Sequence, residues 1–109
     1  MTARRYAGVL LPEDASVEDF VILGIPPRGV LEGELTLTIG SGAILRSHTV
    51  IYAGSIIGHA FQTGHAVLIR EKCRIGSRVS VGSHSVIEQH VEIEDDTRLH
   101  SNVFVPEFS

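Results

Sequence analysis

The chain has 109 residues, of which 43% are hydrophobic and 20% charged, which predicts one ordinary domain. A net charge of −4 with no cluster of Lys or Arg gives no support to a nucleic-acid or membrane partner. One cysteine, Cys73, and an N-terminal apolar run too short for a signal peptide or a membrane span predict a cytoplasmic protein without intrachain disulfides.

The first repeating segment lies within residues 1–24. Aliphatic residues recur there at every sixth position, a period that neither an α-helix nor a single β-strand produces. A second column of small or apolar residues precedes the first column by two positions. The aliphatic positions are Leu11, Val17 and Leu23, and the positions two before them are Val9, Ala15 and Val21. We expect this segment to form the first coil of a repeat fold.

Residues 25–36, "IPPRGVLEGELT", interrupt the repeat. The distance from Leu23 to Ile39, the next aliphatic position, is not a multiple of six. Pro26, Pro27, Gly29 and Gly33 are the residue types that turns and loops favour. The sequence therefore predicts a loop that leaves the repeat between the first and the second coil.

Residues 37–109 keep the six-residue period in one register. All positions of the main column are aliphatic except Thr63, and the column two residues earlier is small or apolar. The main column is Ile39, Leu45, Ile51, Ile57, Thr63, Ile69, Ile75, Val81, Ile87, Ile93, Leu99 and Val105. Three hexads form one 18-residue triangular coil, so this part predicts four regular coils of a parallel β-helix, about five with the first. An antiparallel sandwich would show turn signals at less regular spacing and is the weaker alternative.

Glycine often follows the main column, and we expect it there because a tight corner favours a residue without Cβ. These glycines are Gly40, Gly58, Gly64, Gly76 and Gly82. When the hexads are sorted by face, four of the six histidines fall on one edge, and His59 and His90 fall on the two others. The four are His48, His65, His84 and His100. Arg70 and Arg78 fall one coil from Glu88 and Asp96, which predicts solvated cross-strand pairs.

The hexads, together with "VILGIPPRG", "RSHTVIYAG", "FQTGHAVLIRE" and "HSNVFVPEFS", resemble the hexapeptide-repeat acyltransferases of bacteria. The resemblance spans nearly the whole chain. It implies a left-handed parallel β-helix, an exception to the right-handed crossover rule. It also implies a homotrimer that binds acyl-coenzyme A, such as acetyl-coenzyme A, between neighbouring prisms and modifies an amino or hydroxy group of a sugar or sugar nucleotide. Similar chains continue for several coils beyond the position of Ser109. We therefore expect either that the open edge associates with another chain or that this chain is a fragment, and that its donor site is incomplete.

The resemblance implies that a corner histidine is the general base, and His65 follows Thr63 at the position where the family's catalytic histidine commonly falls. A neutral imidazole can take a proton from the attacking amine or hydroxyl. His59 occupies the equivalent position on another edge and is the alternative base. The expected substrate contacts are Gln62, Thr63, His84, His48 and His100, and the expected oxyanion donors are the backbone amides of Gly64 and Gly82.

Two other functions compete with the transferase. A shortened trimeric β-helix scaffold would keep the fold without a donor site. Gamma-type carbonic anhydrases share this fold and bind a zinc-like ion with three histidines from two subunits, so His65, His84 and His48 or a neighbour's His59 are the residues to consider. The histidine spacing here does not match that family's pattern, and we expect no metal.

Overall fold

The computed structural model describes residues 2–109, and all of its regular secondary structure is β. Sixteen short strands follow one another along the chain. In chain order they are β1 Arg4–Arg5, β2 Val9–Leu10, β3 Ser16–Val17, β4 Ile22–Ile25, β5 Leu37–Ile39, β6 Ile44–Leu45, β7 Val50–Tyr52, β8 Ile56–Ile57, β9 Gln62–Thr63, β10 Leu68–Ile69, β11 Arg74–Ile75, β12 Ser80–Val81, β13 Val86–Ile87, β14 Glu92–Ile93, β15 Arg98–Leu99 and β16 Phe104–Val105.

Every strand pairs in parallel with the third strand before or after it in the chain. The first sheet contains β1, β4, β7, β10, β13 and β16, the second contains β2, β5, β8, β11 and β14, and the third contains β3, β6, β9, β12 and β15. The register places Leu68 beside Val86, one coil of 18 residues further on. The chain is therefore a parallel β-helix of five complete coils, with β1 as an extra rung on the first sheet, and the predicted fold is confirmed. Its left-handed coiling stays a prediction.

The interior is filled by the two columns that the sequence predicts. Leu45, Ile51, Ile69 and Ile87 of the main column are fully buried, and Thr63 is 4% exposed. The second column tolerates polar residues because their hydrogen bonds are satisfied inside the prism. The Ser55 hydroxyl, for example, donates to the carbonyl of Arg70 at 2.8 Å. Three more residues of this column make the same bond, from Thr49 to Gly64, from Cys73 to Glu88 and from Ser85 to His100.

At each corner after the loop the chain turns towards the next sheet through a residue in the left-handed backbone region, at every sixth position. From Gly42 onward each such residue lies two positions after the expected corner glycine, and most are not glycine: His48, Ala66 and His84 have φ values of 66°, 57° and 64°. The expected corner glycines do not have positive φ, so the left-handed conformation is not the reason for their place at the corner. A Cβ on Gly64 would lie 2.7 Å from the backbone nitrogen of Ser83, so the glycine allows adjacent coils to approach closely.

The loop lies where the sequence predicts it, with a one-residue difference at its start. β4 extends to Ile25, which pairs with Tyr52 after a register shift that follows Leu23. Residues 26–36 contain turns and no strand. The loop is fixed to the prism because the Glu32 carboxylate accepts a hydrogen bond from the Ala7 amide at 3.0 Å.

The close approach of the coils predicts that Gly58→Ala is destabilising. Its Cβ would lie 2.8 Å from the backbone carbon of Gly76 and 2.8 Å from Ser77 N, well inside ordinary contact distance. Overpacking of this kind lowers the free energy of unfolding by about 1–3 kcal/mol. Urea denaturation measures the change. The control is Glu94→Ala at the same corner position, because Glu94 already has a Cβ there. Equal stability of both variants would contradict the explanation.

Candidate histidine site

The four predicted histidines share the corner between the third and the first sheet, which we call the histidine edge, but they occupy different corner positions. The edge consists of residues 18–20, 46–48, 64–66, 82–84 and 100–102. His100 comes first in its corner, His65 second, and His48 and His84 third, where φ is positive. The His84 amide donates to the His65 carbonyl at 2.9 Å. The shared edge is confirmed, yet the imidazoles do not form a uniform ladder.

His65 is the histidine with the most developed polar surroundings on this edge. Its Nδ1 lies 2.8 Å from the Ser47 hydroxyl and 4.0 Å from the Glu18 carboxylate. Its backbone amide donates to the Ser83 hydroxyl at 2.9 Å, which fixes the corner from the other side. The side chain is 53% exposed. The imidazole is therefore held at Nδ1 while much of the ring remains accessible to another molecule.

Glu18 is held in place by bonds to the next coil. Its carboxylate accepts the Ser47 amide at 3.0 Å and the Arg46 guanidinium at 3.2 Å. Sequence reasoning missed both Glu18 and Ser47. Sorting every polar corner residue by face, and not only the histidines, would have placed Ser47 one coil before His65 and Glu18 on the same edge.

His59 and His65 differ in the ring nitrogen that is free to accept a proton. The Ser41 backbone N–H donates to His59 Nδ1 at 3.0 Å, so the neutral ring carries its proton on Nε2. The partner of His65 Nδ1 is a hydroxyl, which can accept a hydrogen bond, and the nearby carboxylate of Glu18 favours a proton at Nδ1. His65 can therefore present an Nε2 lone pair. The neutral His59 cannot, which makes it the weaker candidate for the base.

Three predicted site residues are already engaged within the fold. The Gly64 and Gly82 amides donate to the carbonyls of Val81 and Leu99, both at 2.8 Å. The expectation that these amides stabilise an oxyanion is therefore wrong. The Thr63 hydroxyl faces the interior, where it accepts the Arg46 amide and bonds to Thr49, both at 3.1 Å. Thr63 is a core residue, so its hydroxyl does not contact substrate as we predicted.

The remaining residues that we predicted to contact substrate lie in different places on the surface. Gln62 and His100 line a shallow groove of about 320 Å³ on the outside of the third sheet. His48 stacks on Phe20 with ring centroids 5.0 Å apart, in another hollow that includes Glu18 and Ser47. His84 and His65 do not line the groove. One chain therefore brings His65 together with Glu18 and Ser47, and does not gather all the predicted contacts.

The charged corners form the cross-coil pairs that the sequence predicts. Arg78 lies 2.7 Å from Asp96, and Arg70 lies 3.8 Å from Glu88. The Arg78 guanidinium lowers the pKa of the exposed Asp96 carboxyl. The Cys73 thiol packs in the interior, and its burial raises its pKa.

No protein-family model matches the chain, and no curated protein matches it. Across residues 2–109, no three His, Cys, Asp or Glu side chains come together as a group that could hold a metal ion. The same part of the chain has no helix long and apolar enough to cross a membrane.

The hydrogen bonds predict opposite tautomers for the two candidate bases. At a pH where both rings are neutral, we expect His59 to be protonated at Nε2 and His65 at Nδ1. Two-bond nitrogen–proton correlation spectra distinguish the two forms. Ser47→Ala removes the acceptor at His65 Nδ1 and should change only the His65 tautomer, since Ser41 still holds His59. An Nδ1-protonated His59 in the unmodified protein would contradict the assignment.

Proposed function

We propose that the chain is an acyl-coenzyme A-dependent acyltransferase, or part of one, with His65 as the general base. The acceptor is an amino or hydroxy group of a sugar or sugar nucleotide. The observation that carries this proposal is the arrangement of His65 Nδ1 2.8 Å from the Ser47 hydroxyl and 4.0 Å from the Glu18 carboxylate. The resemblance to hexapeptide-repeat acyltransferases supplies the reaction class, and a cytoplasmic location follows as part of the same proposal.

The proposed reaction uses the tautomer that Ser47 and Glu18 favour. The His65 Nδ1–H donates a hydrogen bond to the Ser47 hydroxyl and keeps its proton, while Nε2 takes a proton from the attacking amine or hydroxyl. The amine or hydroxyl attacks the thioester carbonyl, the carbon–sulfur bond breaks, and the thiolate leaves. The imidazolium then gives this proton to the thiolate, which releases coenzyme A and leaves the acyl group on the acceptor. During this cycle the Glu18 carboxylate lowers the free energy of the imidazolium, as carboxylates do beside catalytic histidines.

A homotrimer is part of the proposal, because an apolar face borders the histidine edge. The outer positions of the first sheet carry Ile22, Val50, Leu68, Val86 and Phe104 on successive strands. Phe104 is 61% exposed in one chain. Contiguous apolar surfaces of this kind favour association, and a cyclic trimer would cover the face on every copy. A neighbouring chain packed there would lie beside His65 and could supply the contacts to substrate that one chain lacks.

A non-catalytic trimeric scaffold is the second candidate, and a specific observation favours it. The amides of Gly64 and Gly82, the expected oxyanion donors, are both committed to the next coil. One chain also leaves Gln62 and His100 in a groove apart from His65. In this alternative the His65 hydrogen bonds only stabilise the corner.

Turnover of acetyl-coenzyme A with a panel of uridine diphosphate amino sugars tests the transferase proposal, with release of free thiol as the readout. We expect His65→Ala to lower kcat by about 100-fold or more, the usual contribution of a general base. His59→Ala should keep nearly full turnover. Glu18→Gln should lower kcat with little change in KM, because the carboxylate acts on the imidazolium. Light scattering checks that all variants keep the oligomeric state of the unmodified protein.

Two results would decide against His65 as the base. Full turnover by His65→Ala would remove it from the reaction. Absence of turnover by the unmodified protein with every acceptor, together with an intact oligomer, would favour the scaffold. The buried Cys73 thiol should contribute little background to the thiol readout, because burial raises its pKa.

A further inference from the structure

The outer face of the third sheet carries a row of polar side chains that the proposed acyl transfer does not use. Gln62, Ser80 and Arg98 lie beside one another on β9, β12 and β15, in direct register. Neighbouring strands are about 4.8 Å apart, so the three side chains form a continuous row. His100 and Ser101 at the adjacent corner line the same groove of about 320 Å³.

The groove is cationic although the chain as a whole has a net charge of −4. Its charged lining residues are Arg98 and Arg46, which pairs with Glu18, and among residues 2–109 no carboxylate lines it. The groove on the second sheet has the opposite character. There Arg74 lies in register with Glu92, and Glu94 and Asp95 are the other charged residues of the lining. The two faces therefore differ in the charge of the ligand that they favour.

Arg98 lacks an acidic partner among residues 2–109, in contrast to Arg46, Arg70 and Arg78, which each form an ion pair. Its register partner is the neutral Ser80. Within the same range the side chains of Gln62, Ser80, Arg98 and His100 form no hydrogen bond. The hydroxyls of Ser47 and Ser83, by contrast, are both bonded to His65. The donors of the row and of His100 are available to a ligand.

We propose that this row binds a phosphate group of a ligand. The planar guanidinium of Arg98 matches two phosphate oxygens, and the Ser80 hydroxyl and the Gln62 amide donate to oxygens along the row. The inference rests on the proposed function in one respect: an acyl-coenzyme A donor and a sugar nucleotide acceptor both contain a diphosphate. The row thus holds the phosphates of one of the two substrates on the sheet that ends at the His65 corner.

Titration calorimetry with inorganic pyrophosphate as the probe tests the site without acyl transfer. We expect Arg98→Ser to weaken binding about tenfold or more, because one charge-assisted bidentate contact is lost. Arg74→Ser is the matched control: it removes an arginine from the same hexad position on the neighbouring sheet, and we expect unchanged binding. Affinity should also fall as salt rises. No binding to the unmodified protein, or equal binding by Arg98→Ser, would overturn the proposal.

Competition identifies the source of the phosphate. Displacement of pyrophosphate by coenzyme A assigns the row to the acyl donor, and displacement by uridine diphosphate assigns it to the acceptor. Displacement by neither would overturn the link to a transferase substrate. His65→Ala separates the two proposals, because pyrophosphate should bind it as well as the unmodified protein. Arg98-dependent binding without acyl transfer would then refute the proposed function and leave this site standing.

Discussion

The backbone hydrogen bond between successive coils is the interaction on which the rest of the structure depends. The amide of Gly64 donates to the Val81 carbonyl and the amide of Gly82 donates to the Leu99 carbonyl, each at 2.8 Å. Because these bonds lock one register, residues 18 positions apart lie above one another. A Cβ on either glycine would overlap the backbone of the next coil. The same bonds occupy the amides that we expected to serve an oxyanion.

This stacking converts sequence spacing into local chemistry. Ser47 and His65 meet because they occupy the same corner position on adjacent coils, and Glu18 reaches them from the first coil despite the intervening loop. Gln62, Ser80 and Arg98 form their row by the same rule, one position before the buried column. The histidine edge and the cationic groove therefore lie side by side without any dedicated loop.

The periodic part of the fold could be predicted from sequence because each coil repeats one burial pattern. The columns through Leu45 and Ile87, the loop after β4 and the shared edge of the histidines all follow from counting by six. The direction of each side chain could not be predicted in this way. His48 and His65 share an edge, but the first has positive φ and stacks on Phe20 while the second bonds to Ser47. Thr63 resembled a site residue because counting by six does not show that its hydroxyl is bonded in the core.

Hydrogen-bond scalar couplings across the backbone measure the coil register most directly. We predict couplings from the Gly64 amide to the Val81 carbonyl, from the Gly82 amide to the Leu99 carbonyl, and from the Arg70 amide to the Ile87 carbonyl. Couplings between strands adjacent in the chain, as in hairpins, would contradict the parallel β-helix. Both the His65 arrangement and the Arg98 row would then lose their basis.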